Sequence, residues 1–416
     1  RPAVRTMSDR SGSKSKSRSR SPARRGRSAS SSRSRSPAAK RRGGSRSHSR
    51  SRSPKRDGAG GAGGDRPDAD TMMLGPDDVG FVLGKGGSTK HKIARVADCR
   101  LELDDSGKLT IMGDEAARVR AREYVGMVLA QRVGPVTVDF DAERNDLTRV
   151  DVPADCVGFV TGRGGAVLRG LEQEWGTLMF FAKSKRDDGG ATEKLAIFGR
   201  PGSRCGAELK VMSAVEHKSK GWFVTDGGDG DDLKVKLSHY DNPDTGFGTE
   251  TFPLRADEFS YALGKQGSTR KKLARAAQCI LEYIGRVAVV GGTKAERERG
   301  RVYLKWLIEQ RTGHCSANTE GRDDVTVVEI PRSVVGYITG FKGTSLREVE
   351  AMTGTFCFTD SNRGGAEGDT ERLLIFSGSS AARTEAERLI KDRVRAKLES
   401  DRYGGRGGGG GGGGGY

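Results

Sequence analysis

The sequence predicts an α+β protein in which four small tandem domains lie between two disordered tails. Three observations support this prediction. The middle of the 416-residue chain contains an internal duplication, and four Gly-x-x-Gly motifs recur within it. Both ends have almost no apolar residues, so they cannot bury enough surface to fold.

The internal duplication covers a block of two units. Residues 77–103 align with 257–283 with 14 of 27 positions identical, and residues 152–180 align with 330–358 with 12 of 29 identical. Self-similarity at nearly the same offset, 180 and 178 residues, indicates repeated structural units. The two units of each block share a pattern as well, since each has an apolar stretch, then Gly-x-x-Gly, then an amphipathic segment.

Each unit has the predicted order strand–helix–helix–strand–strand–helix. After the motif of the second unit, Leu168 and Leu171 have helical spacing, and Gly176 ends that helix. The elements predicted for this unit are a strand at 148–152, a helix at 154–160, the helix after the motif, strands at 177–182 and 194–198, and a closing helix at about 203–217.

This order, with Gly-x-x-Gly between the first two helices, resembles the eukaryotic type I KH domain. The resemblance implies four copies of a three-stranded antiparallel sheet packed by three helices, at about 71–132, 147–217, 250–311 and 324–399. The four motifs are Gly84-Lys85-Gly86-Gly87, Gly162-Arg163-Gly164-Gly165, Gly264-Lys265-Gln266-Gly267 and Gly340-Phe341-Lys342-Gly343.

The chemistry of these motifs suits a nucleic-acid backbone. Glycine removes the Cβ that would block close approach, and the adjoining helix ends offer N–H groups to phosphates. The cations in the motifs help to position phosphates without specifying sequence. The KH resemblance implies that each unit holds about four unpaired nucleotides in a groove made by the loop, the second helix and the second strand.

The odd and even units differ beside the motif. Three residues after it, the second and fourth units have Leu168 and Leu346, whereas the first and third have Lys90 and Arg270. We therefore expect more electrostatic grooves in the odd units, and more base recognition in the even ones, whose loops at 183–193 and 360–371 are longer. The candidate RNA-binding residues outside the motifs are Lys90, Lys92, Leu168, Arg169, Arg270, Lys271, Leu346 and Arg347.

Nearly all of the net charge lies in the first tail. Residues 1–56 contain 20 Lys and Arg against one Asp, whereas the rest of the chain has 53 Lys and Arg against 54 Asp and Glu. The 18 serines of this tail stand mostly beside Arg or Lys, so residues 1–66 resemble an RS domain, a resemblance that implies RS-domain proteins and serine/arginine protein kinases as partners. The phosphorylation candidates are Ser19, Ser21, Ser34, Ser36, Ser51 and Ser53.

The remaining segments predict little chemistry. Residues 218–249 predict a flexible, acidic linker with a small hairpin as the alternative, and residues 400–416 predict a second disordered, Gly-rich tail. The six cysteines are isolated, and the five histidines suggest no pairing with a nucleophile. We therefore expect no catalytic or metal site, no cofactor, no enzymatic activity and no membrane span.

Together these features predict a nuclear protein that binds single-stranded RNA, with shuttling to the cytoplasm left open. Pre-mRNA splicing or nuclear mRNA processing is the expected role, by analogy with RS and KH proteins. The alternatives are cytoplasmic control of mRNA stability or translation, single-stranded DNA binding in transcription, and a protein-interaction scaffold. Two blocks joined by a flexible linker would gain affinity through avidity.

Overall fold

The same succession of elements occurs four times along the chain in a computed structural model. The structure describes residues 69–184, 191–226, 233–313, 315–360 and 369–404. In each repeat, one strand leads into two helices separated by a single 3-10 turn, and two further strands precede a long closing helix. This is the order that the sequence predicts, and we number the repeats as units 1 to 4.

Units 1 and 2 form the first block. Unit 1 consists of β1 (Ala69–Met73), α1 (Pro76–Leu83), α2 (Ser88–Ala97), β2 (Arg100–Leu103), β3 (Lys108–Met112) and α3 (Glu115–Val133). A short strand, β4 (Val136–Val138), follows it. Unit 2 consists of β5 (Leu147–Pro153), α4 (Ala154–Thr161), α5 (Ala166–Trp175), β6 (Leu178–Ser184), β7 (Thr192–Phe198) and α6 (Pro201–Lys218).

Units 3 and 4 form the second block, after the strand pair β8 (Val224–Asp226) and β9 (Leu233–Val235). Unit 3 consists of β10 (Phe247–Pro253), α7 (Ala256–Leu263), α8 (Ser268–Ala277), β11 (Ile280–Ile284), β12 (Val287–Thr293) and α9 (Lys294–Thr312). Unit 4 consists of β13 (Val325–Pro331), α10 (Arg332–Thr339), α11 (Thr344–Thr353), β14 (Phe356–Thr359), β15 (Thr370–Phe376) and α12 (Ser380–Gly404).

Each unit has an antiparallel sheet with its last strand in the middle. The strand orders are β1-β3-β2, β10-β12-β11 and β13-β15-β14, while the sheet of unit 2 is β4-β6-β7-β5. The added strand β4 pairs in parallel with β6, with Val136 opposite Ala182. Sequence reasoning did not predict β4, because a strand of three residues is too short to show a period.

The strands at the unit junctions are buried on both faces. In β6, Leu178 and Phe180 belong to the core of unit 1, whereas Met179 belongs to the core of unit 2 itself. In β14, Phe356 and Phe358 pack against α9 of unit 3, whereas Cys357 belongs to the core of unit 4. Because successive side chains point to opposite faces, such strands have continuous apolar runs instead of alternating ones.

The units are therefore packed head to tail. The closing helices α3, α6 and α9 each contribute to a core shared with the sheet of the next unit. Each block has the same polar contact at the junction between its two units. Tyr124 donates to Asp146 at 2.7 Å in the first block, and Tyr303 donates to Asp324 at 2.8 Å in the second. Between the blocks, Lys210 of α6 forms an ion pair of 2.8 Å with Glu282 of β11.

Over 218–249, the described residues have the small hairpin that the sequence left open as the alternative to a flexible linker. β8 pairs with β9, and β10 already begins at Phe247. Phe223 and Tyr240 are buried in a core that includes Ile284 of unit 3. Buried apolar side chains and the packed helix α6 hold the two blocks in contact.

The boundary of the second predicted tail also changes, because α12 continues through residues 400–404. The predicted tail 1–66, its six serine candidates, the centres of the long loops at 185–190 and 361–368, and residues 405–416 lie outside the described residues. Among the helices that the structure describes, none combines the length and apolar character needed to cross a bilayer.

Candidate nucleic-acid interface

Each Gly-x-x-Gly motif forms a tight loop between two helices. The first glycines, Gly84, Gly162, Gly264 and Gly340, end the first helices with φ between 69° and 71°. A Cβ on any of them would lie 2.8–2.9 Å from the backbone nitrogen five residues later in the chain. Positive φ and this close approach require glycine, so the fold itself imposes the first motif position.

The two middle residues of each loop are exposed. The second of them has a left-handed backbone in all four loops, with φ of 62° at Gly86, 57° at Gly164, 53° at Gln266 and 51° at Lys342. The first middle residue is a cation in units 1 to 3, and Phe341 replaces it in unit 4. Phe341 is 79% exposed, and Lys342 Nζ lies 5.3 Å from its ring centroid, so the fourth loop retains a cation.

The last motif glycine caps the second helix of each unit. In these four described helices, no side chain accepts a hydrogen bond at the N-cap formed by Gly87, Gly165, Gly267 or Gly343. The first N–H groups of a helix lack partners within the helix, and the helix dipole places positive charge there. Each loop therefore presents donors and positive potential at one point, an arrangement that suits a phosphate.

An exposed aromatic ring precedes every loop. It lies three residues before the first motif glycine in each unit, and its exposed fraction is 38% for Phe81, 49% for Phe159, 39% for Tyr261 and 50% for Tyr337. Aromatic rings beside cations provide stacking surfaces for unpaired bases. Sequence reasoning missed these residues, although the aligned repeats place Phe or Tyr at this position in all four units.

Two predicted RNA-binding residues of the odd units point into the protein instead. Arg270 is 7% exposed, donates to the carbonyl oxygen of Leu281 at 2.6 Å and forms an ion pair of 3.0 Å with Glu282. It thereby spans from α8 to β11, where the groove of unit 3 would lie. Lys92 donates to both carboxylate oxygens of Glu172 at 2.9 Å. Both side chains therefore have partners within the protein, and their contact with RNA stays a prediction.

The other candidates beside the motifs lie at the surface or in the groove wall. Lys90 and Leu168 are half-buried, Lys271 and Arg347 are exposed, and Leu346 is buried. Arg169 bends back onto its own loop and donates to the carbonyl oxygen of Gly164 at 2.6 Å. The even units therefore have an apolar side chain next to the loop, where the odd units have a cation.

A buried glutamate joins the two units of each block. Glu172 and Glu350 occupy equivalent sites, and each accepts from a backbone N–H of the following strand, at Met179 or Cys357. Lys272 donates to Glu350 at 3.0 Å as Lys92 does to Glu172. Burial raises the pKa of Glu350 above its usual value, and the charge of Lys272 opposes that shift.

The described residues were compared with what a nucleophilic cysteine and a metal site require. Burial raises the pKa of Cys99 to about 11 and that of Cys279 to about 12, so both thiols are protonated at neutral pH. No group of three or more His, Cys, Asp or Glu side chains among the described residues could hold a metal ion.

A three-stranded antiparallel sheet, three helices and a Gly-x-x-Gly loop between the first two define the KH fold. The family model described as KH domain matches residues 70–126, 147–213 and 325–392. These matches lie in units 1, 2 and 4, which have the KH fold. Unit 3 lies outside these matches but has the same elements, strand order and loop geometry.

Similar proteins include the Homo sapiens far upstream element-binding protein 2, which is 25% identical over 162 residues, 36% of this chain and 22% of the relative. This chain thus spans about a fifth of that relative's length. The polyribonucleotide nucleotidyltransferase of Syntrophomonas wolfei is 39% identical over 61 residues, 14% of this chain and 9% of the enzyme. Among solved structures, Dim2p from Pyrococcus horikoshii covers 35% of this chain and 88% of its own, with 19% identity and a TM-score of 0.18.

Proposed function

We propose that the chain binds single-stranded RNA through its KH loops. The observation that carries this proposal is the repetition of one surface four times: glycine at the first and last loop positions, a helix N-terminus without a side-chain cap, a cation and an exposed aromatic ring. Phosphates fit the first three features, and unpaired bases fit the fourth. RNA is favoured over DNA because the similar nucleotidyltransferase is named for a polyribonucleotide.

Equilibrium binding of the full chain to single-stranded RNA of random sequence tests this proposal. Single-stranded DNA and duplex RNA of equal length serve as competitors. A second protein carries Asp at both middle positions of every loop, which repels phosphates. The replaced residues are Lys85, Gly86, Arg163, Gly164, Lys265, Gln266, Phe341 and Lys342.

The middle positions suit this test because Gln266 and Lys342 show that residues other than glycine adopt their backbone conformation. We expect the Asp variant to lose a little stability through backbone strain at Gly86 and Gly164, to stay folded at the assay temperature, and to lose most of its affinity for single strands. Equal competition by duplex RNA would contradict the proposal. If single-stranded DNA competes more strongly than unlabelled single-stranded RNA, the loops prefer DNA.

The cellular role that fits best is pre-mRNA splicing or nuclear mRNA processing. Its support is the RS-like composition of residues 1–66, which also suits recognition by RS-domain proteins and serine/arginine protein kinases. Each phosphoserine carries about −1.5 to −2, so roughly ten to twelve would cancel the charge of residues 1–56. Steady-state localisation of the full chain and of a chain lacking residues 1–66 tests the role. A cytoplasmic full chain would instead support control of mRNA stability or translation.

A further inference from the structure

A cleft of about 640 Å³ lies between units 3 and 4, and both of their loops contribute to its wall. Unit 3 supplies Lys265 of its loop and part of α8, while unit 4 supplies Gly343 of its loop, α11 and β14. The cleft therefore includes the groove of unit 4 but has a third side, which comes from the neighbouring unit.

Buried contacts determine the width of this cleft. The ion pair of Lys272 with Glu350 joins α8 to α11, and Arg275 of α8 donates to the carbonyl oxygen of Ala351 at 3.1 Å. Phe356 and Phe358 of β14 share a core with α9 of unit 3. Because a shared core holds α8 of unit 3 against α11 and β14 of unit 4, the side of the groove that unit 3 provides is formed before a ligand binds.

The lining of the cleft is complementary to a polyanion. Among the described residues that line it, Glu350 is the one acidic side chain, and Lys272 neutralises it. The cations are Lys265, Lys271, Lys272, Arg275 and Arg347.

The cleft also offers apolar and hydrogen-bonding surface. Leu346 and Phe358 form an apolar wall, and the exposed ring of Tyr261 lies at the cleft. The Nε2 atom of Gln310 is buried and has no hydrogen-bond partner among the described residues. Such a donor gains from an acceptor on a ligand, and nucleobases and phosphates both carry acceptors.

Unit 3 has little space for a base in a groove of its own. Arg270 crosses from α8 to β11 there and binds Leu281 and Glu282. Its loop and the exposed face of α8 nevertheless stay accessible on the side that faces unit 4. Unit 3 is thus suited to contribute cations to its neighbour's site.

We propose that one RNA strand occupies this cleft and contacts both units at once, with bases against Leu346 and β14 of unit 4 and phosphates against Lys265 and Lys271 of unit 3. This inference rests on the proposed function, because it assumes that the loops bind single-stranded RNA. It differs from four independent KH sites in one respect: the odd unit forms part of the even unit's site.

The test uses a reporter chain, the full protein with Asp at Lys85, Gly86, Arg163 and Gly164, so that the second block is the principal loop site. The probe is a labelled single-stranded RNA of about eight nucleotides, twice the number that one KH unit holds. The reporter chain is compared with Lys265→Ala plus Lys271→Ala in the same background. Lys391→Ala on α12, outside the cleft, is the matched control. Two further chains, the reporter chain and its alanine variant, each carry Phe341→Asp and Lys342→Asp in addition.

With one shared site, the two alanine substitutions lower affinity and reduce the slope of log K against log salt by about 1.4, whereas Lys391→Ala changes neither. The effect of the alanines disappears once the fourth loop carries Asp. An alanine effect of equal size in both backgrounds would mean that unit 3 binds separately and would overturn the shared site.

The remaining outcomes separate this inference from the proposed function. If the Asp pair in the fourth loop abolishes binding while the alanines have no effect, unit 4 binds RNA alone and the shared site is wrong. If neither change matters, the loops do not bind RNA, and the proposed function itself fails. Melting temperatures equal to that of the reporter chain show that the added substitutions at exposed positions leave the fold intact.

Discussion

The four residues of each loop have different physical roles. The first glycine has no room for a Cβ, since the backbone of the following helix lies within 2.9 Å of that position. The second middle residue, by contrast, has open space at Gly86 and Gly164, although its φ is positive. The motif therefore combines one position that the fold requires with others that are free to serve the ligand.

Unit 2 allows these two roles to be separated by substitution. Gly162→Ala should lower the free energy of unfolding by about 1–3 kcal/mol, because it combines backbone strain with a clash against Val167. Gly164→Ala has only the backbone strain and should cost less. Thermal unfolding of both variants measures the difference. Equal losses would contradict the assignment of the first glycine to the fold.

The aromatic ring before each loop gives a second prediction at this scale. Phe159→Ala and Tyr337→Ala remove exposed rings, so stability should change little. Loss of one base–aromatic stack should weaken RNA binding by about 1–3 kcal/mol. Titration with single-stranded RNA measures the loss, and Val119→Ala, an exposed apolar residue on α3, is the control. A loss at Val119 equal to that at Phe159 would point to a general surface effect.

At the scale of elements, the sequence predicts the helices and strands of each unit but not the contacts between elements. Helix and strand order within a unit follows from apolar periodicity and from glycine, so it was predictable. The direction of Lys92 and Arg270 was not, because a cation on a helix is ordinarily solvated and its buried partner comes from another element. The run at 177–182 indicates burial on both faces but does not identify unit 1 as the neighbour that covers it.

The ion pair between Lys272 of α8 and Glu350 of α11 predicts that stability depends on pH. Lys272→Met leaves the buried carboxylate of Glu350 without its cation, which should cost about 3–5 kcal/mol near neutral pH. Since burial already raises the pKa of Glu350, the native state takes up a proton at a pH where the unfolded carboxylate is ionised. The stability contributed by this group therefore falls as pH rises, and the deficit of the variant shrinks as pH is lowered towards 4.5.

Unfolding midpoints of the wild-type and Lys272→Met chains, measured at neutral and mildly acidic pH, check this sign. Glu350→Gln in the Lys272→Met background removes the unpaired charge and should recover part of the loss at neutral pH. A deficit that stays constant with pH would show that Glu350 is not its source.

At the scale of the whole molecule, shared cores make the folded array one continuous structure instead of four separate domains. Excised residues 147–218 would expose Leu178, Phe180, Ala196 and Phe198, which unit 1 covers in the full chain. Exposed apolar patches of this kind promote association. We expect this fragment to self-associate and to bind more of a hydrophobic dye than residues 69–218 do. A monomeric fragment with low dye binding would contradict the shared core.

The distribution of charge adds a final prediction at this scale. Outside residues 1–56, the 53 Lys and Arg almost balance the 54 Asp and Glu, so long-range attraction of RNA depends on the first tail. Each phosphate contact by Lys or Arg adds about 0.7 to the salt slope of single-strand binding. Deleting residues 1–66 should therefore flatten the slope and slow association, while the loops keep their preference for single strands. Deleting residues 405–416, which contain one Arg, is the control. An unchanged slope without residues 1–66 would place the electrostatic contacts on the KH surfaces themselves.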